Sequence, residues 1–360
     1  MSVAENADVL GPAERDRLLE PFLFCRKILI AISGGPDSTA LAWLATHWRA
    51  ARLAAREGAG EVPVLLAATV NHGLRSDSAA EAELVGRWCA SIGLRHTVLH
   101  WQGEKPAHGI QDAARTARYD LLIQLAHEIG ADALAVAHTQ DDQAETVLFR
   151  LARGSGLSGL AAMKPTSERA GITILRPLLE VPKVRLVATL QAENIGFVQD
   201  PANANPRFTR ARLRALAPSL AQEGLDARRL SLLAARMARA DDALEAATDE
   251  AGRLIGQVAP EDDEAVRLAA AAFAQLPDEI AQRLLGRAIT RMGHEGPVEL
   301  GKLEALAQAL LNHLRALPDV ATGFGRTLAG AQVEIRSNEV WIFPAPPRRK
   351  GTIPPKSPLI

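Results

Sequence analysis

Cysteine is nearly absent from this sequence: Cys25 and Cys89 are the only two in 360 residues. Two isolated cysteines exclude a disulfide framework and a zinc site built from cysteine pairs, and they are typical of a reducing compartment. No run of about 18 apolar residues occurs, so we expect no transmembrane helix. The first residues contain no basic segment followed by an apolar one, so we expect no signal peptide and a cytoplasmic location.

Net charge is also small, because 41 Lys and Arg oppose 42 Asp and Glu. This balance neither implies nor excludes a nucleic-acid partner, since the distribution of charge matters more than its total. The length and the 48% hydrophobic content predict two domains. We place the first at 1–205, the second at 206–345 and a flexible, proline-rich tail at 346–360. The sequence leaves monomer and homodimer open.

The stretch from Ile28 to Leu41 predicts a strand, a tight turn and a helix. Ile28 to Ile32 has the length and β-branching of a buried parallel strand. Ser33-Gly34-Gly35-Pro36-Asp37-Ser38 then turns the chain into a helical pattern. This layout aims backbone N–H groups and a helix dipole at a phosphate. It is not a Walker A loop, because the spacing differs and the lysine for a terminal phosphate is missing.

Further strand-like runs alternate with helical patterns downstream. The runs are Val62–Val70, His96–Trp101, Ala133–Ala137 and Ile172–Leu175. This alternation predicts an α/β fold with a doubly wound, Rossmann-like parallel sheet. Ligands of such sheets bind at the carboxyl ends of strands, and Ser33, Asn71, His72 and His138 all follow strand ends. From about Arg185 helical patterns dominate, and a hairpin signal surrounds Ser337-Asn338. We therefore expect a mainly helical second domain with a terminal β-hairpin.

Several motifs occur together in a fixed order. They are Ser33–Ser38, Val70–Arg75, Ala114–Tyr119, Ala137–Thr146, Arg150–Gly156, Arg176–Leu179 and Asp200–Asn203. Over about residues 27–216 this set resembles the tRNA(Ile)-lysidine synthetases of the PP-loop ATP pyrophosphatase superfamily. The resemblance implies that L-lysine is joined to C2 of the wobble cytidine, position 34, in the CAU anticodon of tRNA(Ile). The reaction would use ATP and Mg2+, pass through an adenylated cytidine, release AMP and diphosphate, and change codon reading from AUG to AUA.

The resemblance also assigns roles at the glycine turn. The implied ATP-binding residues are Ser33, Gly34, Gly35, Pro36, Asp37, Ser38, Asn71 and His72. Asp37 would bind the metal or contact the lysine, because a carboxylate beside a triphosphate is repulsive unless a cation lies between them. The alternative role for Asp37 is to cap the following helix, which aspartate does well.

A second group of candidates lies after Ala137. Asp141 and Glu145 are four residues apart and share one helix face, where the ammonium of the incoming lysine would offset their repulsion. His138 is the candidate base that deprotonates this amine, whose free pKa is about 10.4. Alternatively, His138 has a structural role, or a desolvated pocket makes the amine lose its proton. Asp142 has the position of a capping residue. The implied catalytic residues are Asp37, His138 and Asp141.

Arginines supply the expected tRNA contacts. The candidates are Arg115, Arg118, Arg150, Arg153, Arg207, Arg210, Arg212 and Arg214. Residues 201–240 contain eight arginines against only Glu223 and Asp226. Such a basic segment suits phosphate contacts, and a solvated helix face is the alternative. Aromatic residues make up only 4%, so few bases can stack on the protein.

Other functions remain as alternatives on the sequence. A PP-loop tRNA sulfurtransferase also adenylates a base, but its two-thiocytidine type uses Cys-x-x-Cys pairs that this chain lacks. An asparagine or GMP synthetase would need a glutaminase as its source of ammonia, and the length leaves no room for one. A synthetase that uses free ammonia stays open as an alternative. A tRNA-binding or nucleotide-sensing protein without catalysis is opposed by Asp37, His138 and Asp141.

Overall fold

The computed structural model describes residues 7–55, 62–73, 78–103, 105–106, 109–198, 209–257, 264–316 and 323–346. The chain forms two compact units, Met1–Ala238 and Arg239–Ile360. No helix within the described ranges combines the length and the apolar character needed to cross a membrane. The predicted tail lies outside these ranges from residue 347 onward.

A six-stranded sheet forms the centre of the first unit. Its strands are β1 (Lys27–Ala31), β2 (Val64–Asn71), β3 (Arg95–His100), β4 (Ala133–Ala135), β5 (Thr166–Arg169) and β6 (Ile172–Leu175). Their order is β3-β2-β1-β4-β6-β5, and all neighbours are parallel except β5 and β6. The predicted doubly wound sheet is therefore confirmed, with β5 as an additional antiparallel edge. Strand order reverses between β1 and β4, which is where such sheets bind ligands.

Helices cover both faces of this sheet. The helices of the first unit are α1 (Pro12–Leu18), α2 (Pro36–Ala55), α3 (Ser78–Ser91), α4 (Ile110–Ile129), α5 (Gln140–Leu151), α6 (Leu157–Leu160), α7 (Lys183–Ala192), α8 (Thr209–Gln222) and the first part of α9 (Ala227–Ile255). Ile28 and Ile30 of β1 belong to one buried cluster with Trp48 of α2. Leu29 belongs to the opposite cluster, with Leu122 of α4. Burial on both faces fixes the register of β1 and hence the point where Ser33 leaves the sheet.

The boundary between the units lies at 238/239, whereas the sequence analysis places it at 205/206. The difference has a packing cause. Helix α8 contacts α5, and Leu230 and Ala234 of α9 are buried against Ala144 and Val147 of α5. The arginine-rich segment is thus attached to the unit that holds the glycine turn.

The second unit combines helices with a five-stranded antiparallel sheet. The helices are the rest of α9, α10 (Ala270–Ala274), α11 (Asp278–Met292) and α12 (Leu300–Ala316). The strands are β7 (Gly256–Gln257), β8 (Val266–Ala269), β9 (Gly325–Leu328), β10 (Ala331–Arg336) and β11 (Glu339–Pro344), in the order β7-β8-β11-β10-β9. The predicted hairpin is confirmed: Ser337 and Asn338 join β10 to β11 with φ of 47° and 69°, as a two-residue primed turn requires.

Acidic residues that follow the basic segment are used inside the second unit. Arg283 of α11 contacts Asp241 of α9 at 2.8 Å and Glu245 at 2.5 Å. Arg287 contacts Asp249 at 2.5 Å. These carboxylates therefore hold α9 against α11 through ion pairs.

Candidate active site

The glycine turn between β1 and α2 is tied together by its two serines. The Ser33 N–H donates to Ser38 Oγ at 3.1 Å, and the two hydroxyl oxygens lie 3.1 Å apart. The Ser38 hydroxyl also donates to the Gly35 carbonyl at 3.1 Å. Gly34 has φ +83°, in the left-handed region. The turn thus has the shape that brings backbone N–H groups and the N-terminus of α2 to an anion.

Asp37 lies in the first turn of α2 with its two carboxylate oxygens in different situations. Oδ2 accepts a hydrogen bond from Lys183 Nζ at 2.9 Å. Oδ1 is buried and has no partner among the described residues. Burial raises the pKa of this carboxyl, and Lys183 opposes the rise. A buried acceptor without a protein partner is rare, and this oxygen is therefore available to a cation or a water molecule.

Asn71 and His72 lie at the end of β2, as predicted. Asn71 Oδ1 accepts from the Gly73 N–H at 2.8 Å, so this side chain shapes the loop locally. The His72 ring meets Trp101 edge to face, with centroids 6.1 Å apart. Its Nδ1 is buried with no partner among the described residues. Burial and the neighbouring Arg118 lower the pKa of His72.

His138 follows β4, and its pKa is shifted further than that of His72, the other histidine at this edge. Burial lowers its pKa to about 3, and Asp142 only partly offsets this. Three arginines nearby, Arg118, Arg176 and Arg115, lower it further. Nδ1 of His138 is a third buried polar atom that lacks a partner within the described part of the chain. The ring is therefore neutral near pH 7, and it is a weak base.

The capping box predicted at the start of α5 is confirmed. The Thr139 N–H donates to Asp142 Oδ2 at 2.9 Å, and the Asp142 N–H donates to Thr139 Oγ1 at 3.4 Å. Asp142 thus has a structural role: it fixes the start of α5, the helix that carries Asp141 and Glu145.

Asp141 and Glu145 each contact a different basic residue. Asp141 Oδ2 accepts from the backbone N–H of Lys183 at 2.8 Å, at the start of α7. Both oxygens of Glu145 accept from Arg214 of α8, at 2.5 and 2.9 Å. The sequence analysis assigned Glu145 to lysine and Arg214 to tRNA, whereas the structure brings the two together. The hydrogen bond to Glu145 raises the pKa of Arg214, and the charges of Asp142 and Asp37 add to this rise. This arginine therefore lies at the site.

The other arginines predicted to bind tRNA differ in their surroundings. Arg115 is exposed and lies over the Tyr119 ring at 5.5 Å, and Arg153 lies over Phe149 at 4.1 Å. Arg150 donates to the carbonyls of Gly159 at 2.6 Å and Ala162 at 3.1 Å, so it braces the loop after α5.

The arginines around α8 are only partly described. Arg212 is exposed and donates to Thr209 at 3.1 Å. Arg207, the side chain of Arg210 and the Asp200–Asn203 motif lie outside the described residues. Their predicted roles therefore stay predictions.

Lys183 is the site residue that sequence reasoning missed. It stands four residues after the Arg176–Leu179 motif, and no recognised pattern includes it. Its side chain contacts Asp37 and its backbone contacts Asp141. It therefore connects the two groups of candidates, which only their arrangement in space reveals.

Metal binding by protein side chains alone finds no support in the described ranges, which contain no group of three or more His, Cys, Asp or Glu arranged around one point. Mg2+ is normally held by one or two carboxylates together with substrate phosphates. The buried, unpartnered Oδ1 of Asp37 beside the glycine turn fits that mode.

Comparison with protein families and curated proteins gives consistent matches. Residues 13–220 match the PP-loop domain family. The curated tRNA(Ile)-lysidine synthase of Bradyrhizobium sp. is 49% identical, over 97% of this chain and 99% of that protein. That of Rhodopseudomonas palustris is 50% identical, over 95% of this chain and 97% of that protein. That of Methylobacterium sp. is 45% identical over 97% and 98%, respectively.

Among solved structures, the U34-tRNA thiolase NcsA from Methanococcus maripaludis, with its 4Fe-4S cluster, is similar in fold. The TM-score is 0.50 at 17% identity, over 63% of this chain and 78% of that chain. At this identity the likeness concerns the fold alone.

Proposed function

Because this chain belongs to the tRNA(Ile)-lysidine synthase family, we propose that it joins L-lysine to C2 of cytidine 34 in the CAU anticodon of tRNA(Ile). ATP first transfers its AMP group to the O2 atom of the cytidine and releases diphosphate. The lysine ε-amine then attacks C2, and AMP leaves with the former O2. The product reads AUA instead of AUG, and the reaction takes place in the cytoplasm.

The glycine turn after β1 carries this proposal. The left-handed Gly34, the two linked serines and the N-terminus of α2 make a cradle for phosphate oxygens at the switch point of the sheet. Adenylation needs the α-phosphate held in line with the attacking oxygen, and positioning of this kind supplies a large part of catalysis. We assign Ser33, Gly34, Gly35 and Ser38 to this task.

Asp37 is the residue that would hold Mg2+ at this cradle. Its Oδ1 is buried and unpartnered among the described residues, and an aspartate oxygen is a suitable ligand for this hard cation. The metal would neutralise charge on the phosphate chain of ATP.

Lysine binding is assigned to the start of α5. Asp141 uses Oδ2 for the Lys183 backbone, which leaves Oδ1 to face an ammonium group. Glu145 contributes negative charge one turn later on the same helix. Its partner Arg214 gives up this contact when the substrate ammonium binds. This arrangement keeps the carboxylates paired before lysine arrives, which lowers the cost of holding them together.

His138 contributes to the chemistry as a neutral ring. Its pKa of about 3 lies far below the value of about 10.4 for a free lysine ammonium, so proton transfer to it would be strongly uphill. The base role predicted from the sequence is therefore less favourable than hydrogen bonding to the cytidine through the unpartnered Nδ1.

Sulfur transfer to a tRNA base is the competing activity that the sequence analysis leaves as an alternative. Sulfur delivery through a cluster or a persulfide needs reactive cysteine thiolates. Both cysteines of the chain are buried. Burial raises the pKa of Cys89 to about 12 and also raises that of Cys25. Both thiols are therefore protonated at neutral pH, which favours lysine ligation.

A single-turnover assay with labelled lysine, ATP and a CAU-anticodon tRNA(Ile) tests the proposal. Mass spectrometry of the anticodon nucleoside should show the mass of lysine added to cytidine 34, and only when ATP is present. Elongator methionine tRNA serves as the control. Addition of sulfur, or an unmodified cytidine with ATP and lysine present, would reject the proposed function.

A further inference from the structure

Lys183 is held at two points of the site by two different parts of the residue. Its backbone N–H donates to Asp141 Oδ2 at 2.8 Å, which fixes the main chain at the start of α7. Its ammonium donates to Asp37 Oδ2 at 2.9 Å, and 44% of the side chain is exposed. The main chain is therefore anchored while the flexible four-carbon stem keeps access to the space beside the turn.

The glycine turn contains no lysine of its own, in contrast to a Walker A loop. A triphosphate in the cradle needs cations near the β-phosphate, where negative charge grows as diphosphate departs. Arg214 is another cationic side chain near Asp37, but both oxygens of Glu145 hold its guanidinium group. Lys183 already reaches the first turn of α2, and a single half-exposed contact holds its ammonium.

We propose that Lys183 is a catalytic residue that binds the β-phosphate of ATP and stabilises the diphosphate leaving group when the cytidine is adenylated. The inference rests on the proposed function. In this step, O2 of the cytidine forms a bond to the α-phosphorus. The bond from that phosphorus to the α,β-bridging oxygen breaks, and its electron pair leaves on the oxygen of diphosphate. The ammonium donates a hydrogen bond to the departing group and keeps its proton.

Exchange between two partners explains how the lysine serves this step. Without nucleotide, the ammonium neutralises Asp37 in the first turn of α2. A bound triphosphate presents more negative charge than one carboxylate, so it attracts the ammonium more strongly. Both carboxylate oxygens of Asp37 would then be available to hold Mg2+.

The first experiment measures the rate of AMP transfer to tRNA(Ile) in a single turnover. Lys183→Gln should slow this step by about 10²–10³-fold, as the loss of one donor to a developing anion does. Attack of lysine on tRNA that the wild-type protein has already adenylated should be unchanged. Lys183→Arg, which keeps the cation, should recover part of the rate. The matched control is Lys302→Gln, which removes a lysine paired to Glu299 at the same 2.9 Å in the second unit.

A binding measurement separates direct phosphate contact from a structural role. By calorimetry, Lys183→Gln should weaken binding of α,β-methylene ATP by about tenfold or more and leave adenosine binding unchanged. Equal weakening of both ligands, an unchanged affinity for the analogue, or AMP transfer at the wild-type rate would overturn the inference. If the wild-type protein forms lysidine while Lys183→Gln gives one of these results, only the inference fails and the proposed function stands. The two failures are therefore distinguishable.

Discussion

At the scale of single residues, Gly34 tolerates a side chain less well than Gly35, the other glycine of the turn. Its φ is +83°, and a Cβ there would lie 2.8 Å from Cγ2 of Val85 on α3. Gly34→Ala should therefore lower the free energy of unfolding by about 1–3 kcal/mol through strain and overpacking. It should also weaken ATP binding, because the turn must widen. Denaturant unfolding and calorimetry measure the two effects.

The adjacent Gly35 provides the control for the stability of the turn. A Cβ on Gly35 would meet only Ser33 Oγ, at an ordinary 3.6 Å, and its φ is not in the left-handed region. Gly35→Ala should therefore leave the free energy of unfolding nearly unchanged. If both alanine variants unfold at the same denaturant concentration, the geometry at Gly34 is not what constrains the loop.

His138 makes stability depend on pH in a definite direction. Its pKa is about 3 in the folded chain and about 6.5 in an unfolded one. Between these values the unfolded chain binds a proton that the folded chain does not, so stability falls as pH decreases from about 6.5 towards about 3. His138→Gln should remove this part of the slope, and melting temperatures measured across that pH range test it.

A contrasting result would be a variant whose melting temperature falls with acid as steeply as that of the wild type. Histidines whose pKa values are lowered less, such as His72 and His96, remain in both proteins and form the background. The comparison therefore isolates the contribution of one ring.

At the scale of elements, α5 and α7 meet through Asp141, whose Oδ2 accepts the first N–H of α7. Asp141→Asn keeps an oxygen that can accept this hydrogen bond but removes the charge. It should therefore raise the KM for lysine much more than the KM for ATP, with little change in melting temperature. An unchanged KM for lysine would remove Asp141 from lysine binding.

Elements with strong apolar patterns were predictable, and those with weak patterns were not. The central strands β1 and β6 follow apolar runs that sheet burial requires. Strand β5 reads Thr-Ser-Glu-Arg, a polar edge strand without an apolar signal, and it was missed. Strand β8 is four residues long and gains its stability from pairing with β11. Pairing between distant segments leaves no mark in a local pattern.

At the scale of the whole molecule, the same distinction explains which parts of the site were found. The glycine turn and the strand-end residues are set by local motifs, so the sequence predicts their common edge. The contacts of Lys183 with Asp37 and of Arg214 with Glu145 join segments separated by 146 and 69 residues. These contacts depend on how α7 and α8 pack, which no single motif encodes. The structure thus changes the roles assigned to these residues, although their types already indicated charged contacts.

The basic segment of the first unit should make tRNA affinity depend steeply on salt, because each phosphate contact releases counterions. Arg228 and Arg236 of α9 are both exposed. If both bind phosphates, Arg228→Gln with Arg236→Gln should reduce the slope of log Kd against log salt by about 2. Filter binding of tRNA(Ile) over a range of salt concentrations measures it.

The control for this experiment removes the same charge from surfaces that are not basic. Arg87 and Arg253 are 69% and 73% exposed, and each lies beside a glutamate of its own helix. Arg87→Gln with Arg253→Gln changes the net charge equally but should leave the slope unchanged, because counterion release depends on contacts rather than on total charge. Equal slopes for the two double variants would mean that Arg228 and Arg236 form only a solvated face.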